Sequence, residues 1–375
     1  MLYNFINKSG DCLSTISFLQ AEDFNEGLAV VRISENENYG YIDSLGEIVI
    51  HASYAFAATF SEGKAYVKDS ATGKYGYINY EGEEVLPLIY DDAHSYSNGV
   101  AAVRIGQKWH FMDVNGRMIS DIDFSYCNDF KDGFASVKYQ GRWGIINTAG
   151  EWVIKNKYAQ LSNMQDGLAK VQINRKWGFI NMDDELVIPP VYCAAESFQN
   201  GFAAVKAQKK WGFINRLGEM VIPAMYDSTA IGFNDGLCFV SKKQDIGVID
   251  ELGNTRIPFV FKSGLLGDCF EYSFRNQLAY AVLNREKGHV NEDGLIVEHK
   301  QEKLIHNPST GFIDKHGKVK VPFVYNHCWH FSEGLAPVFS AQGAGFVNEE
   351  GNEVIPLIYK DAIPFKDGFA VVGIG

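Results

Sequence analysis

Positive charge is in deficit. Of 375 residues, 34 are Lys or Arg and 46 are Asp or Glu, a formal net charge of -12. A surface of that balance works against general binding of nucleic acid or anionic membrane, both of which reward basic residues. Proline is scarce at 10 residues, which excludes a Pro-rich linker protein. No run of about 18 apolar residues occurs, so no membrane-spanning helix is expected. The opening segment from Met1 to Asn7 has no basic stretch followed by an apolar one, and no signal peptide is expected. The six cysteines (Cys12, Cys127, Cys193, Cys238, Cys269 and Cys328) form no CxxC pair and have irregular gaps. That pattern indicates neither a zinc site nor a disulfide framework. A reduced, cytoplasmic protein without a metal or cofactor is the expectation.

Aromatic residues and glycine are plentiful instead, with 26 Phe, 19 Tyr and 37 Gly, and 46% of residues are hydrophobic. Such a chain can bury a large core, and its turn-rich, aromatic-rich composition suggests β-structure.

A repeat dominates the chain. The pattern F-x-[DEN]-G-[LF]-A begins at Phe24, Phe60, Tyr96, Phe130, Met164, Phe198, Phe233, Phe331 and Phe365, with a weak copy at Phe274 where Gln277 replaces glycine. Most neighbours lie 34 to 36 residues apart. Fixed periods of 20–50 residues mark solenoids, propellers or arrays. A second pattern follows in each repeat, an aromatic residue and Gly, then two apolar residues and a tight [ND]-x-x-G turn. It starts at Tyr39, Tyr75, Trp143, Trp177 and Trp211; at Trp109 the glycine is replaced by His110. Eight residues past the closing glycine stands another aromatic, such as Tyr54, Tyr90 or Tyr226, and proline recurs five residues past it, as at Pro87, Pro223 and Pro356.

These spaced positions resemble the WG-containing repeat family of bacterial proteins, and the resemblance covers nearly the whole chain. It implies a β-rich repeat protein that acts as an interaction module, with no catalytic residues to carry over.

Local chemistry agrees with strands and turns. Leu168-Ala169-Lys170-Val171 alternates as a half-buried strand should. Asn174-Arg175 is a two-residue hairpin turn, and Trp177-Gly178-Phe179-Ile180 is the return strand. Ala169, Val171, Gly178 and Ile180 then share one face, with Gly178 leaving room for another backbone or ring. Leu186-Val187-Ile188 makes a third strand that should end at Pro189 or lie at a sheet edge, because proline removes a ladder donor. The expected fold is all-β: one domain over residues 1–375, a tandem array of about ten three-stranded antiparallel meanders of ~34–36 residues. An open, curved, solenoid-like superhelix is the first arrangement; the alternative is a closed, propeller-like ring in which the half-repeats at the two ends complete one unit. About 20 extra residues interrupt the period, giving an irregular insertion at 283–309. Gly288 to Gly294 mimics the second pattern, so an added hairpin is expected there.

Several rows invite functional readings. The turn Asn/Asp residues interchange freely, which fits turn capping better than a calcium ladder. Trp109, Trp143, Trp177 and Trp211 could stack on sugar rings, although aromatics at a fixed repeat position more often form the core between repeats. A basic row includes Lys138, Arg142, Lys176, Lys206 and Lys210. Arg104, Lys138 and Lys206 should lie opposite Trp109, Trp143 and Trp211 and pack on them, which leaves a polyanion stripe as the lesser reading. His289, His299 and His306 cluster in the insertion. Cys127, Cys238 and Cys328 take the place of alanines and read as buried fillers. No nucleophile, metal or phosphate-loop pattern survives, so no enzyme is expected. The expected function is a non-catalytic protein-interaction scaffold whose partner is another protein, with glycan or polyanion binding as the alternative. A monomer is compatible with everything in the sequence.

Overall fold

The computed structural model describes residues 1–35, 38–230, 232–262, 274–275, 277–283, 288–298 and 309–375. Every regular element among them is a β-strand. The chain divides into two compact bodies. Residues 1–172, 180–185 and 365–375 form the first; residues 173–179 and 186–364 form the second.

Several repeats each build one small antiparallel sheet, while the strands from Gln20–Ala21 to Glu84–Tyr90 join two repeats in a seven-stranded sheet and those from Leu237–Lys242 to Val319–Tyr325 join two in a six-stranded one. In the first body, Tyr126–Cys127, Phe134–Tyr139, Arg142–Asn147 and Trp152–Tyr158 are neighbours in that order. In the second, Ala194–Ala195, Phe202–Ala207, Lys210–Asn215 and Met220–Tyr226 repeat the arrangement, as do His327–Cys328, Leu335–Phe339, Ala344–Asn348 and Glu353–Tyr359. Each such sheet therefore has four strands, not three. The extra strand comes from the segment linking one repeat to the next, where only two residues reach the ladder; so short a strand leaves no alternation to read.

The F-x-[DEN]-G pattern is a two-residue hairpin. Glu26 and Gly27 have φ of 52° and 85°, and Asn98 and Gly99 have 55° and 76°. Positive φ at both central residues is the type I′ turn, which fits the twist of paired strands. Asn174 and Arg175 make the same turn, with φ of 51° and 63°. The Asn/Asp of the second turn caps its own backbone. Asp43 Oδ1 accepts from Leu45 N at 2.9 Å and Glu47 N at 3.0 Å, and Asn215 Oδ1 accepts from Leu217 N and Glu219 N at 3.0 Å each. These oxygens serve the turn, as expected.

The core between repeats is aromatic, but tryptophan is not its centre. The ring two residues past the Trp/Tyr position meets the leading Phe of the next repeat: Tyr41 meets Phe60 with centroids 5.1 Å apart, and Phe111 meets Phe130 at 5.0 Å. In the second body Phe179 meets Phe198 at 4.8 Å, and Phe312 meets Phe331 at 4.5 Å. All eight rings are buried. Neighbouring repeats are also tied turn to turn. Glu26 accepts from Glu62 N at 2.8 Å and Gly63 N at 3.0 Å, Glu62 from Gly99 N at 2.8 Å, and Asn98 from Gly133 N at 2.6 Å. The [DEN] position thus tolerates the turn and binds the following one.

The third strand runs on past its proline, contrary to the reading that it ends there. In the four-stranded sheets it lies at the edge, the other outcome expected. Trp211 pairs with Tyr226 and Phe213 with Ile222, so between these pairs one residue of one strand, Gly212, faces three of the other. The resulting bulge, Pro223 to Met225, lays its backbone over Gly212. A Cβ there would lie 2.6 Å from Ile222 O and 2.7 Å from Ala224 N. Gly178 is covered alike, by Ile188 O at 2.5 Å and Pro190 N at 2.8 Å. Where His110 replaces the glycine, the regular third strand is missing from the sheet, and only isolated bridges, Trp109 to Phe124 and Met112 to Met118, cross that span.

The chain ends meet. Leu2–Asn7 pairs with Phe369–Ile374 over six residues, from Leu2 opposite Ile374 to Asn7 opposite Phe369. The two terminal half-repeats therefore share one sheet of the first body. In the insertion, Gly288–Val290 and Ile296–Glu298 form the expected hairpin. One of its side chains, Ile296, is buried in the core of the second body.

Candidate binding surface

Across each regular sheet, register sets up a rung of four residues. Tyr126 lies opposite Lys138, Lys138 opposite Trp143 and Trp143 opposite Tyr158. Ala194, Lys206, Trp211 and Tyr226 repeat it. The cations do sit over their rings. Arg104 is 5.8 Å from the centre of Trp109, and Lys206 is 5.7 Å from that of Trp211. The tyrosine repeats follow suit, with Arg32 5.6 Å from Tyr39 and Lys68 5.2 Å from Tyr75. Lys138 is in register with Trp143, whose ring instead meets Tyr126 edge-on at 5.5 Å.

The tryptophans are neither open platforms nor full core. Trp109, Trp143 and Trp177 are half-buried and Trp211 is buried. Trp109 also carries the His94 ring at 4.6 Å. His94 Nδ1 is 2.7 Å from Asp129 Oδ1, and that hydrogen bond, partly opposed by burial, raises the imidazole pKa above its ordinary value.

The basic row is mostly engaged. Lys210 bonds Asp227, and Lys74, in the corresponding position of an earlier repeat, meets Asp91 at 2.5 Å. Lys176 Nζ donates to Cys193 Sγ at 3.2 Å. Arg142 is exposed. His289 is exposed on the insertion hairpin, while His299 and His306 lie outside the described residues. Cys127, Cys238 and Cys328 are buried as expected, and burial pushes the thiols of Cys127 and Cys328 far up.

Two features escaped the sequence reading. Trp329, outside any Trp-Gly pair, is 44% exposed, more than any other tryptophan, and its ring meets His327 edge-on at 5.3 Å. An aliphatic residue just before the Tyr of the third strand faces solvent in repeat after repeat: Ile89, Val191, Met225, Val324 and Ile358 are between 44% and 71% exposed. Their regular position was visible in the sequence, but the bulge that turns them outward was not. The second body also holds a polar cavity of about 420 Å³ lined by Asp235, Arg275, His330 and Glu333 among others. Burial and then Arg275 hold the His330 imidazole below its usual pKa.

No helix among the described residues is long and apolar enough to cross a membrane. No curated protein matches the chain. Among solved structures, one titled as the eukaryotic initiation factor is similar over 85% of this chain and 94% of its own, at 11% identity and a TM-score of 0.50. Hsv2 of Kluyveromyces marxianus is similar over 76% of this chain and 98% of its own, at 8% identity and a TM-score of 0.36. The first likeness concerns the fold alone. The family described as WG containing repeat matches residues 39–70, 75–109, 111–143, 143–177, 177–211, 211–244, 311–339 and 345–375. With eight matched segments over most of its length, the chain belongs to the WG containing repeat family.

Proposed function

We propose that this chain is a non-catalytic, cytoplasmic scaffold that binds another protein through the outward faces of its third strands. The observation that carries this reading is the exposed aliphatic row at Ile89, Val191, Met225, Val324 and Ile358. Single exposed apolar residues need no explanation, but recurrence at one repeat position is a patterned surface. Aliphatic side chains gain from contact with other apolar side chains and offer little to a sugar or a phosphate. The features that would serve a glycan or polyanion are largely spent within the protein, since the tryptophans are at least half-buried and Lys206, Lys210 and Arg104 have ring or carboxylate partners.

The test is affinity capture from the source cell extract with the purified chain and with a triple variant, Ile89→Asp, Val191→Asp and Ile358→Asp. All three positions are solvent-facing, so the fold should hold within about 0.5 kcal/mol per site. The expected result is loss of specifically captured protein by the folded triple variant. Unchanged capture would remove the aliphatic row as the docking surface. Loss on Trp329→Ala instead, together with binding to a glycan array, would favour the sugar reading.

A further inference from the structure

The third-strand ends carry an anion slot that one repeat fills with a thiol. In two repeats the residue after the third-strand Tyr is aspartate. Asp91 Oδ1 meets Lys74 Nζ at 2.5 Å and its Oδ2 accepts from Gly106 N at 2.6 Å. Asp227 bonds Lys210 and accepts from Lys243 N at 2.8 Å. Each carboxylate thus joins a lysine of one repeat to the first residue of the next repeat's hairpin turn. In both, the lysine bond and then the backbone bond hold the carboxyl below the usual range. In the repeat just before that of Asp227, Cys193 occupies that position, exposed, with Lys176 Nζ at 3.2 Å from its sulfur. The matching turn residue is Gln208, whose φ of 57° sets it in the same hairpin geometry.

We infer that Cys193 is a peroxide-modifiable site whose stable product is the sulfinate, held by Lys176 and the Gln208 amide as the aspartates are held in the sister slots. Two hydroperoxide molecules are consumed. In the first step sulfur attacks a peroxide oxygen, the O–O bond breaks, an S–O bond forms and the thiol proton leaves in water, giving the sulfenic acid. The second step repeats this on the sulfenic sulfur and yields sulfinic acid and another water. Sulfur is oxidised by four electrons in all, and each peroxide is reduced by two. The ionised sulfinate carries one negative charge over two oxygens, the arrangement by which Asp91 takes one lysine and one backbone N–H. A single sulfur atom completes only part of the slot, so oxidation would tighten the tie between the repeats containing Trp177 and Trp211.

The experiment treats the full chain with graded hydrogen peroxide and maps each cysteine by peptide mass. Cys12 is also exposed and serves as the internal reference. Cys193 should gain two oxygens at least several-fold faster than Cys12, and Lys176→Met should bring that ratio near one. Independently, Cys193→Asp should raise the midpoint of thermal unfolding by about 1–3 °C, as a partly exposed ion pair in a domain of this size does. Combined with Lys176→Met, that gain should vanish. Equal oxidation of Cys193 and Cys12, or a Cys193→Asp effect that is the same with and without Lys176, would overturn the inference.

Discussion

A single missing carbon atom explains the glycine of the aromatic-Gly pair. At Gly178 any β-carbon would sit 2.5 Å from Ile188 O and 2.8 Å from Pro190 N, both backbone atoms of a strand that cannot move without breaking its ladder. Gly178→Val should therefore destabilise by at least ~1–3 kcal/mol, the range of overpacking in a filled core. Lys176→Ala, at an exposed neighbour, should stay within about 0.5 kcal/mol. Denaturant midpoints compare the two, and equal values would refute the packing account. The His110 repeat gives the same rule in reverse, since without the glycine there is no regular strand above it. A room-making glycine was legible from the sequence. What fills the room was not, because the bulge past Pro189 depends on a pairing between distant residues.

His94 supplies a second test at this scale, with a definite sign. Its pKa is raised above 6.5 chiefly by the hydrogen bond to Asp129. A raised imidazole stabilises the fold fully below the unfolded-state value, and the contribution is lost as pH climbs through the folded-state value. The side chains are 35% and 57% exposed, so solvent screening keeps the gain under ~1 kcal/mol. Wild type should exceed Asp129→Asn in thermal midpoint at pH 5.5 and lose that lead at pH values well above 6.5. A lead that grew with pH would mean that the pair is not what stabilises this corner.

At the scale of the element, local patterns read well and long-range pairings read poorly. The type I′ hairpins, the self-capping Asn/Asp turns and the alternating strands all follow from neighbouring residues. The short fourth strand does not, because two residues such as Ala194 and Ala195 carry no period. The insertion shows the same divide. Its hairpin was visible in Gly288 to Gly294, but its docking was not, since one buried residue leaves no pattern. Ile296 is only 5% exposed and lies in a cluster with residues including Val260, Phe261 and Ile313. Gly288 packs against Val260, where a Cβ would come within 2.8 Å of that side chain. Ile296→Ala should cost about 2–4 kcal/mol, as truncation of a buried aliphatic does. Exchange of the whole hairpin for a Gly/Ser link should lower stability as well. An unchanged melting midpoint for Ile296→Ala would return this segment to the surface.

At the scale of the molecule, the notable economy is that the chain's two ends share a sheet. The sequence shows this only as half-repeats, Phe5-Ile6-Asn7 at the start and Phe365 to Val372 at the end, which suit an open array as well as a closed one. Phe5 and Ile6 are 1% and 0% exposed, and Phe5 meets Phe24 at 5.1 Å while Phe24 meets Phe369 at 4.9 Å. Removing residues 1–7 would uncover these rings and leave Phe369–Ile374 with an unpaired ladder, the kind of edge that invites aggregation. The truncated chain should melt at a lower temperature and associate. A synthetic peptide spanning residues 1–10 should bind it, restore the midpoint and suppress association, because it supplies both the six-residue ladder and the two buried side chains. Binding should fail for a peptide with Phe5→Asp, which keeps the backbone donors but cannot enter the aromatic site. If truncation left the melting curve unchanged, the end-to-end pairing would contribute nothing to the fold; if the Phe5→Asp peptide restored it equally well, the ladder alone would account for the pairing of the two ends.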